Sequence, residues 1–319
     1  MKAAVYHDTR DLRIEDVPTP QPGPGELLVR VAAVGICGTD VHEYTSGPVQ
    51  YPIHRRNGVT GHLGPMIPGH EPAGVVVEAG QGVSGFAAGD AVACGATTPC
   101  GTCDRCREGR PTICRGISAV GVHRDGALAE YAVLPAATCL RLEPYGLRPE
   151  VGALAQPMAI AVHAVGRGRL RLGEHAVLVG TGGIGTFACY VAAACGARVT
   201  VVDRLPDRLE LARALGAVRD GGRVVQVGFQ HEPRPIDLFR LTLKELEIVG
   251  TNSLALYPDL HAALGLLAAR RQGWRDLAPE LIPLADLVDG GLRPLADRTA
   301  TRVKTLIDPW ATATRPLPA

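Results

Sequence analysis

Four cysteines lie within fifteen residues in the first half of the chain. They are ordered Cys100-x-x-Cys103-x-x-Cys106, with Cys114 further along the same segment. Tetrahedral zinc takes four thiolate ligands of this kind, and close spacing reduces the entropy lost in gathering them. Because all four positions are cysteine, no coordination position is left for a substrate, and the spacing predicts a structural zinc site. Haem attachment is excluded because Arg107, rather than a histidine, follows Cys106.

The cysteine spacing is also compatible with two alternatives to a structural zinc site. The four cysteines could be unrelated buried residues, or the loop could be a zinc ribbon that binds nucleic acid. A nucleic-acid ribbon would need basic and aromatic residues around its ligands. The arginines here are offset by Asp104 and Glu108, and no aromatic residue lies between Cys100 and Cys114. The whole chain has 33 basic and 32 acidic residues and only 4% aromatics, so no nucleic-acid partner is expected.

The bulk composition places the chain among globular proteins with more than one core. It has 319 residues, of which 46% are hydrophobic and 20% charged. The N-terminus lacks the apolar stretch of a signal peptide, and no apolar run is long enough to span a bilayer. We therefore expect a soluble, cytoplasmic protein with no membrane partner, whose nine cysteines stay reduced rather than form a disulfide framework.

The two halves of the chain have different patterns. Residues 1–150 contain short β-rich runs separated by prolines and glycines, which indicates a partly open β-barrel. From Val151 onward, helical patterns alternate with apolar strands such as Ala176–Val179 and Arg198–Asp203. This alternation predicts a parallel, doubly wound sheet, and the fold class is α/β.

The domain boundaries follow from this change of pattern. We assign residues 1–150 to the first domain and 151–280 to the second. Residues 281–319 are expected to return to the first domain.

A glycine-rich turn follows the strand that ends at Val179. Its glycines permit a tight turn and a close approach of the backbone to a pyrophosphate at a helix N-terminus. Asp203 stands about twenty residues further on, at the end of the next strand, where it can bind a ribose hydroxyl and disfavour a 2′-phosphate. The pattern therefore predicts NAD as the cofactor. The expected contacts in the turn are Gly180, Gly182, Gly183, Ile184 and Gly185.

A second metal site is predicted from three residues in the first domain. Cys37 follows a predicted strand, and His70 and Glu71 are adjacent some thirty residues later. Together they could supply three ligands and leave one position open for an alcohol oxygen, as catalytic zinc requires. Taken alone, a single cysteine or a His-Glu pair more often has a structural role.

The combination of these motifs resembles the zinc-type medium-chain alcohol dehydrogenases. Within that family the chain is most similar to the 2,3-butanediol dehydrogenases, and it also resembles threonine and sorbitol dehydrogenases. The shared features are Gly35–Tyr44, the long insert Gly47–Pro68, Gly69-His70-Glu71, the four-cysteine loop, Ala161–Val165 and Val303–Pro309.

The resemblance implies a fold and a set of roles. The first domain is expected to be a GroES-like β-barrel catalytic domain, and the second a Rossmann-type domain. Zinc on Cys37 and His70, with Glu71 as third or alternating ligand, is expected to act as a Lewis acid on a small alcohol. Thr39 is expected to take the hydroxyl proton and pass it toward His42.

Further expectations concern the cofactor and assembly. Hydride passes to or from nicotinamide in this family, and Arg208 matches a position that packs near the adenosine. The family usually forms homodimers or homotetramers. We therefore expect two zinc ions per chain, one catalytic and one structural, and a small alcohol or ketone as the substrate.

The chain departs from the family pattern in two places. Gln156 stands where relatives carry a glutamate near the zinc, and we do not count it as a ligand. After Ala217, about two β-α units are absent before Gly221-Gly222. Either the strand Arg223–Val227 moves into the vacated place, or the sheet keeps an exposed gap. These departures support an alternative, a catalytically inactive zinc-binding relative that acts as a structural or partner-binding subunit.

Overall fold

The computed structural model describes residues 1–202, 219–228, 233, 235–252, 254 and 256–318. The chain divides into two compact units, one formed by residues 1–159 with 255–319 and the other by residues 160–254. In the described part of the chain, no helix has the length and apolar character needed to cross a membrane.

The first unit is built on antiparallel strands. In chain order they are β1 Lys2–Asp8, β2 Asp11–Asp16, β3 Glu26–Gly35, β4 Pro72–Ala79, β5 Ala91–Cys94, β6 Thr97–Thr98, β7 Ser118–Ala119, β8 Tyr131–Pro135 and β9 Cys139–Arg141.

The second unit contains four parallel strands, β10 His175–Val179, β11 Arg198–Val202, β12 Arg223–Gln226 and β13 Glu247–Gly250. Three later strands belong to the first unit: β14 Glu280–Pro283, β15 Leu306–Asp308 and β16 Arg315–Pro316.

The α-helices are α1 Gly38–Ser46, α2 Asp104–Arg107, α3 Pro149–Gly152, α4 Ala155–Gly168, α5 Gly183–Ala194, α6 Leu238–Leu243, α7 Tyr257–Ala269 and α8 Arg293–Ala296. Helix α4 starts in the first unit and continues into the second.

Strand β3 is the centre of the first unit. One edge of β3 pairs with β4, and its other edge is shared by β8 near Glu26 and by β15 near Gly35. Its alternate residues Leu27, Val29 and Val31 are fully buried, as the period of two in a strand requires. Each such side chain contributes about 1.5–3 kcal/mol through burial. A rigid strand therefore carries the residues that follow Gly35.

The strands of the first unit do not close into a barrel. Among the described residues the main sheet runs in the order β16-β14-β15-β3-β4-β5-β9, with β8 attached to β3. The two ends of this path, β16 and β9, are strands of only two and three residues, and they do not pair with each other. The β-rich domain that the sequence predicts is present, but as an open sheet.

The second unit contains the predicted β-α-β arrangement. Strands β10 and β11 are parallel and are connected through α5, and β12 and β13 form a second parallel pair. Among the described residues, β10 pairs only with β11 and β12 only with β13. The residues of these strands are largely half-buried or exposed.

Candidate metal centres and cofactor turn

The three predicted ligands of the second metal site come together in the first unit. Cys37, His70 and Glu71 each offer one ligand atom, and these atoms all lie within 4.8 Å of one another. His70 and Glu71 are buried, and Cys37 is half-buried. Zinc binds thiolate, imidazole and carboxylate groups, and three protein ligands leave its fourth tetrahedral position free. The donor set therefore fits a zinc ion with one open position.

The pairing of β3 with β4 explains why these residues meet. Cys37 follows β3 and caps the N-terminus of α1, while Glu71 immediately precedes β4. The Gly35 N–H donates to the Glu71 carbonyl oxygen at 3.0 Å. A Cβ atom at Gly35 would lie 2.0 Å from Glu71 Oε2, so only glycine leaves room for this carboxylate.

A buried cation faces the Glu71 carboxylate. The Lys304 ammonium forms an ion pair with Glu71 Oε2, and the two side chains are 5% and 0% exposed. Lys304 Nζ also donates to the Ile36 carbonyl oxygen at 2.9 Å. Glu71 Oε1 has no hydrogen-bond partner among the described residues. Lys304 thus holds one oxygen of the Glu71 carboxylate, and the other oxygen is available to bind a metal ion.

A second carboxylate, that of Asp40, lies beside two of the predicted ligands. Asp40 Oδ2 accepts the Cys37 N–H at 2.8 Å and completes a capping box at the start of α1. Asp40 Oδ1 lies 3.7 Å from His70 Nδ1, an ion-pair distance.

The electrostatics of the cluster favour a bound cation. Burial by itself would lower the pKa of His70, but the negative charges of Cys37, Asp40 and Glu71 outweigh it and raise this pKa to about 10. A raised histidine pKa of this kind shows that the groups around the imidazole carry excess negative charge. A divalent cation would supply that balance directly.

The predicted proton-relay residues lie on α1. Thr39 Oγ1 is 3.8 Å from Cys37 Sγ, in the first turn of the helix. His42 is half-buried one turn further on. The two residues are three positions apart in α1, which places them on the same side of the helix.

The four cysteines of the loop also come together. Their ligand atoms all lie within 4.8 Å of one another, and the sulfur–sulfur distances are 3.7 Å for Cys103 and Cys106, 3.8 Å for Cys103 and Cys114, and 3.3 Å for Cys114 and Cys100. A tetrahedron with zinc–sulfur bonds of 2.3 Å has edges of about 3.8 Å. The cysteine spacing fits a zinc ion with four thiolate ligands.

Backbone N–H groups in the loop stabilise the thiolate form of Cys100. The N–H groups of Thr102 and Cys103 lower the pKa of Cys100 to about 5. Partial burial and the neighbouring Cys103 thiol raise the pKa of Cys106 to about 12. The four sulfurs cannot all ionise so close together unless a cation joins them.

Three arginines of this loop, Arg105, Arg110 and Arg115, form ion pairs. Arg115 donates to Asp104 at 2.8 Å, and Arg105 donates to Glu108 at 2.8 Å. These ion pairs neutralise the surface that a nucleic-acid ribbon would present.

The glycine-rich turn forms in the second unit. Gly182 caps α5, whose first residues are Gly183, Ile184 and Gly185. A Cβ atom at Gly185 would lie 1.9 Å from the Gly180 carbonyl oxygen, so this close packing requires glycine. The turn and the helix N-terminus fit a dinucleotide pyrophosphate. Asp203 and Arg208 lie outside the described residues.

Gln156 lies at the start of α4 and is 4% exposed. Its Oε1 atom has no hydrogen-bond partner among the described residues. The sequence identifies this position only as a replacement for glutamate, and the burial of its amide oxygen is visible only in the structure.

Three residues around the site of Cys37, His70 and Glu71 were not identified from the sequence as part of it. Asp40 could have been recognised, because it stands at the third helical position after a capping residue. Tyr51 donates to Asp40 Oδ1 at 2.9 Å, and Lys304 pairs with Glu71. Neither contact has a local sequence signal, since a loop and a distant segment supply them.

Comparisons with known proteins agree with this geometry. Residues 23–144 match the alcohol dehydrogenase GroES-like domain. A sorbitol dehydrogenase of Bacillus subtilis is 37% identical over 220 residues, which cover 68% of this chain and 60% of that protein. In that alignment, the chain spans about three fifths of its relative's length. An L-threonine 3-dehydrogenase of Streptomyces avermitilis is 33% identical over 326 residues, covering 88% of this chain and 91% of that protein.

The fold also matches that of a solved dehydrogenase structure. The crystal structure of a 2R,3R-butanediol dehydrogenase from Bacillus subtilis superposes with a TM-score of 0.84 at 26% identity. The superposition covers 97% of this chain and 99% of that one. With a relative above 30% identity aligned over most of both sequences, the chain belongs to the zinc-type medium-chain alcohol dehydrogenase family.

Proposed function

We propose that this chain is a zinc-dependent oxidoreductase that transfers a hydride between a small secondary alcohol, diol or polyol and NAD. The substrate class includes 2,3-butanediol and acetoin, because the motifs around Cys37 resemble those of the butanediol branch. The observation that carries the proposal is the set of donors from Cys37, His70 and Glu71, which converge at the N-terminus of the helix that bears Thr39 and His42.

Each residue has a distinct role in this proposal. Cys37, His70 and Glu71 hold the catalytic zinc, which when bound supplies Lewis acidity that lowers the pKa of an alcohol hydroxyl. Thr39 takes the hydroxyl proton and passes it toward His42 along the same helix. The four-cysteine loop holds a structural zinc, because its ligands leave no open position.

The cofactor unit has a separate role. The turn Gly180–Gly185 takes the pyrophosphate, and Asp203 takes the adenosine ribose and favours NAD over NADP. Arg208 packs near the adenosine. The protein acts in the cytoplasm, and its assembly is a homodimer or a homotetramer, as is usual in the family.

One observation favours a second candidate function. Strands β10–β13 form two separate pairs with exposed apolar residues, among them Val201 at 45% and Val202 at 50%. Separate strand pairs with exposed apolar residues are compatible with an inactive zinc-binding relative that acts as a structural or partner-binding subunit.

Calorimetry of NADH binding to the zinc-replete protein separates the two functions, since it does not depend on finding the substrate. Saturable binding that weakens in Asp203→Ala supports the dehydrogenase. An absence of binding heat up to millimolar NADH would contradict it and favour the inactive relative.

A pair of cysteine variants tests the two metal assignments. Cys37→Ser is expected to lose one of two zinc ions and all turnover while its melting temperature stays close to wild type. Cys103→Ser is expected to lose the other zinc and to melt at a lower temperature. Full turnover in Cys37→Ser would rule out the proposed metal site, and an unchanged melting temperature in Cys103→Ser would rule out the structural one.

A further inference from the structure

The loop after α1 is attached to that helix by one buried carboxylate. Glu43 is 0% exposed, and its side chain accepts backbone N–H groups from Val49 at 2.9 Å, Gln50 at 2.8 Å and Tyr51 at 3.4 Å. Hydrogen bonds from several amides to one carboxylate hold a loop firmly. The backbone of Tyr51 is therefore fixed relative to helix α1, which begins directly after Cys37.

The Tyr51 side chain is fixed as well. It is 4% exposed, and its ring meets that of Tyr6 edge-on, with centroids 5.1 Å apart. Burial, together with the nearby Asp40 carboxylate, raises the pKa of Tyr51 well above its usual 10. The hydroxyl consequently keeps its proton and acts as a donor.

The Tyr51 hydroxyl donates to the Asp40 carboxylate, which also lies beside two of the predicted zinc ligands. Tyr51 Oη donates to Asp40 Oδ1 at 2.9 Å, and the same oxygen lies 3.7 Å from His70 Nδ1. The other oxygen, Oδ2, accepts the Cys37 N–H. Without Tyr51, the Asp40 carboxylate would be held only by the Cys37 N–H, and its buried Oδ1 would lose its hydrogen bond.

We propose that Tyr51 is a positioning residue of the metal centre, whose hydroxyl fixes the Asp40 carboxylate and thereby orients the His70 imidazole. The inference rests on the proposed function, because it assumes that Cys37, His70 and Glu71 hold a zinc ion. A ring whose Nδ1 faces a fixed carboxylate keeps Nε2 for the metal. Groups that orient a metal-binding histidine in this way typically change metal affinity by about 10–100-fold.

The insert Gly47–Pro68 therefore has a function in this chain beyond connecting α1 to His70. It places the Tyr51 hydroxyl against the Asp40 carboxylate, and the Glu43 side chain holds the backbone of this part of the insert.

The test compares Tyr51→Phe with Tyr6→Phe in the full-length, zinc-loaded protein. Both changes remove one buried hydroxyl from the same aromatic pair. Tyr6 Oη donates to the Glu43 carbonyl oxygen at 2.7 Å and does not reach Asp40. Tyr6→Phe is thus a matched control for the loss of a buried hydrogen bond.

The readout is zinc affinity by chelator competition, together with the visible spectrum of Co²⁺ bound at the same site. Tyr51→Phe is expected to bind zinc at the Cys37 site about 10–100-fold more weakly and to shift the Co²⁺ bands. The four-cysteine site should keep its zinc, and Tyr6→Phe should match wild type at both sites. Zinc affinity within twofold of wild type in Tyr51→Phe, with an unchanged Co²⁺ spectrum, would overturn the inference.

A double-mutant cycle with Asp40→Asn tests the route of the effect. If Tyr51 acts through Asp40, Tyr51→Phe should cost little further zinc affinity in the Asp40→Asn background. Additive losses would show that Tyr51 acts some other way and would contradict the inference. A wild-type chain that binds only one zinc, on the four-cysteine loop, would instead refute the proposed function itself.

Discussion

Among single residues, Lys304 contributes most to the balance of charge around Glu71. Both side chains are buried, and the ammonium is shared between Glu71 and the Ile36 carbonyl. In metal-free protein the lysine is the nearest compensation for the carboxylate. Removing one partner of such a pair leaves a buried charge, which costs far more than an exposed ion pair does.

Lys304→Met is therefore expected to lower the free energy of unfolding of the metal-free protein by about 3–5 kcal/mol. Urea unfolding measures this loss, and Lys304→Met combined with Glu71→Gln should recover part of it. Lys2→Met is the control, because its ion pair with Asp16 is exposed and its loss should change stability little. Equal effects of the two lysine variants would contradict the assigned role of Lys304.

His123 makes stability depend on pH. Its Nδ1 accepts the Ala119 N–H at 3.0 Å, which requires a neutral ring, and burial lowers its pKa. The unfolded chain therefore binds a proton at higher pH than the folded chain does. This contribution to stability is present above the unfolded pKa of about 6.5 and is lost as pH falls toward and below the folded pKa.

We expect the melting temperature of wild type to fall between pH 7.5 and pH 5.5 by more than that of His123→Asn. The asparagine Oδ1 can take the place of the ring nitrogen and does not titrate. Parallel pH profiles for the two proteins would show that His123 is not responsible.

At the scale of elements, the sequence was most informative where chemistry and local structure coincide. The β10-α5-β11 unit lies where the glycine-rich motif places it, because glycines and capping residues act over a few positions. The cysteine loop closes as its spacing predicts. Lys304 and Tyr51 could not be found this way, since their contacts depend on how β15 and a long insert are placed around β3.

The turn before α5 offers a test at this scale. In Gly185→Ala the new Cβ would collide with the Gly180 carbonyl oxygen, so the turn must distort and NADH affinity should fall by at least about tenfold. Gly166→Ala in α4 is the control, because its added Cβ would meet nothing within 4 Å beyond its chain neighbours and the adjacent backbone of its own helix. Calorimetry should show wild-type NADH affinity for this control and two zinc ions in both variants. Unchanged NADH affinity in Gly185→Ala would contradict the assignment of the turn.

At the scale of the whole molecule, the two units differ in how well their strands are covered. Strand β3 pairs on both edges and is mostly buried, while β10–β13 form two separate pairs whose residues are half-buried or exposed. Two strands alone are only marginally stable. The α/β class was predictable from the alternation of patterns, but the open sheet and the separate pairs depend on long-range pairing that no local pattern specifies.

Hydrogen exchange should show this difference. Amides of β10–β13 are expected to exchange much faster than those of β3 and β4, because local opening exposes little additional apolar surface there. NADH should slow exchange around Gly180–Gly185 and leave β3 unchanged. Equal protection of the two sets of strands in ligand-free protein would indicate that another surface covers β10–β13 in solution.

The contact between Lys304 and Ile36 also has a consequence for biosynthesis. The two residues are 268 positions apart, so Cys37, His70 and Glu71 leave the ribosome long before the cation that balances them has been translated. During that interval Glu71 lacks its Lys304 partner, and β3 lacks its pairing with β15. The surroundings of this centre are therefore completed only after the C-terminal segment has been translated and β15 has paired with β3.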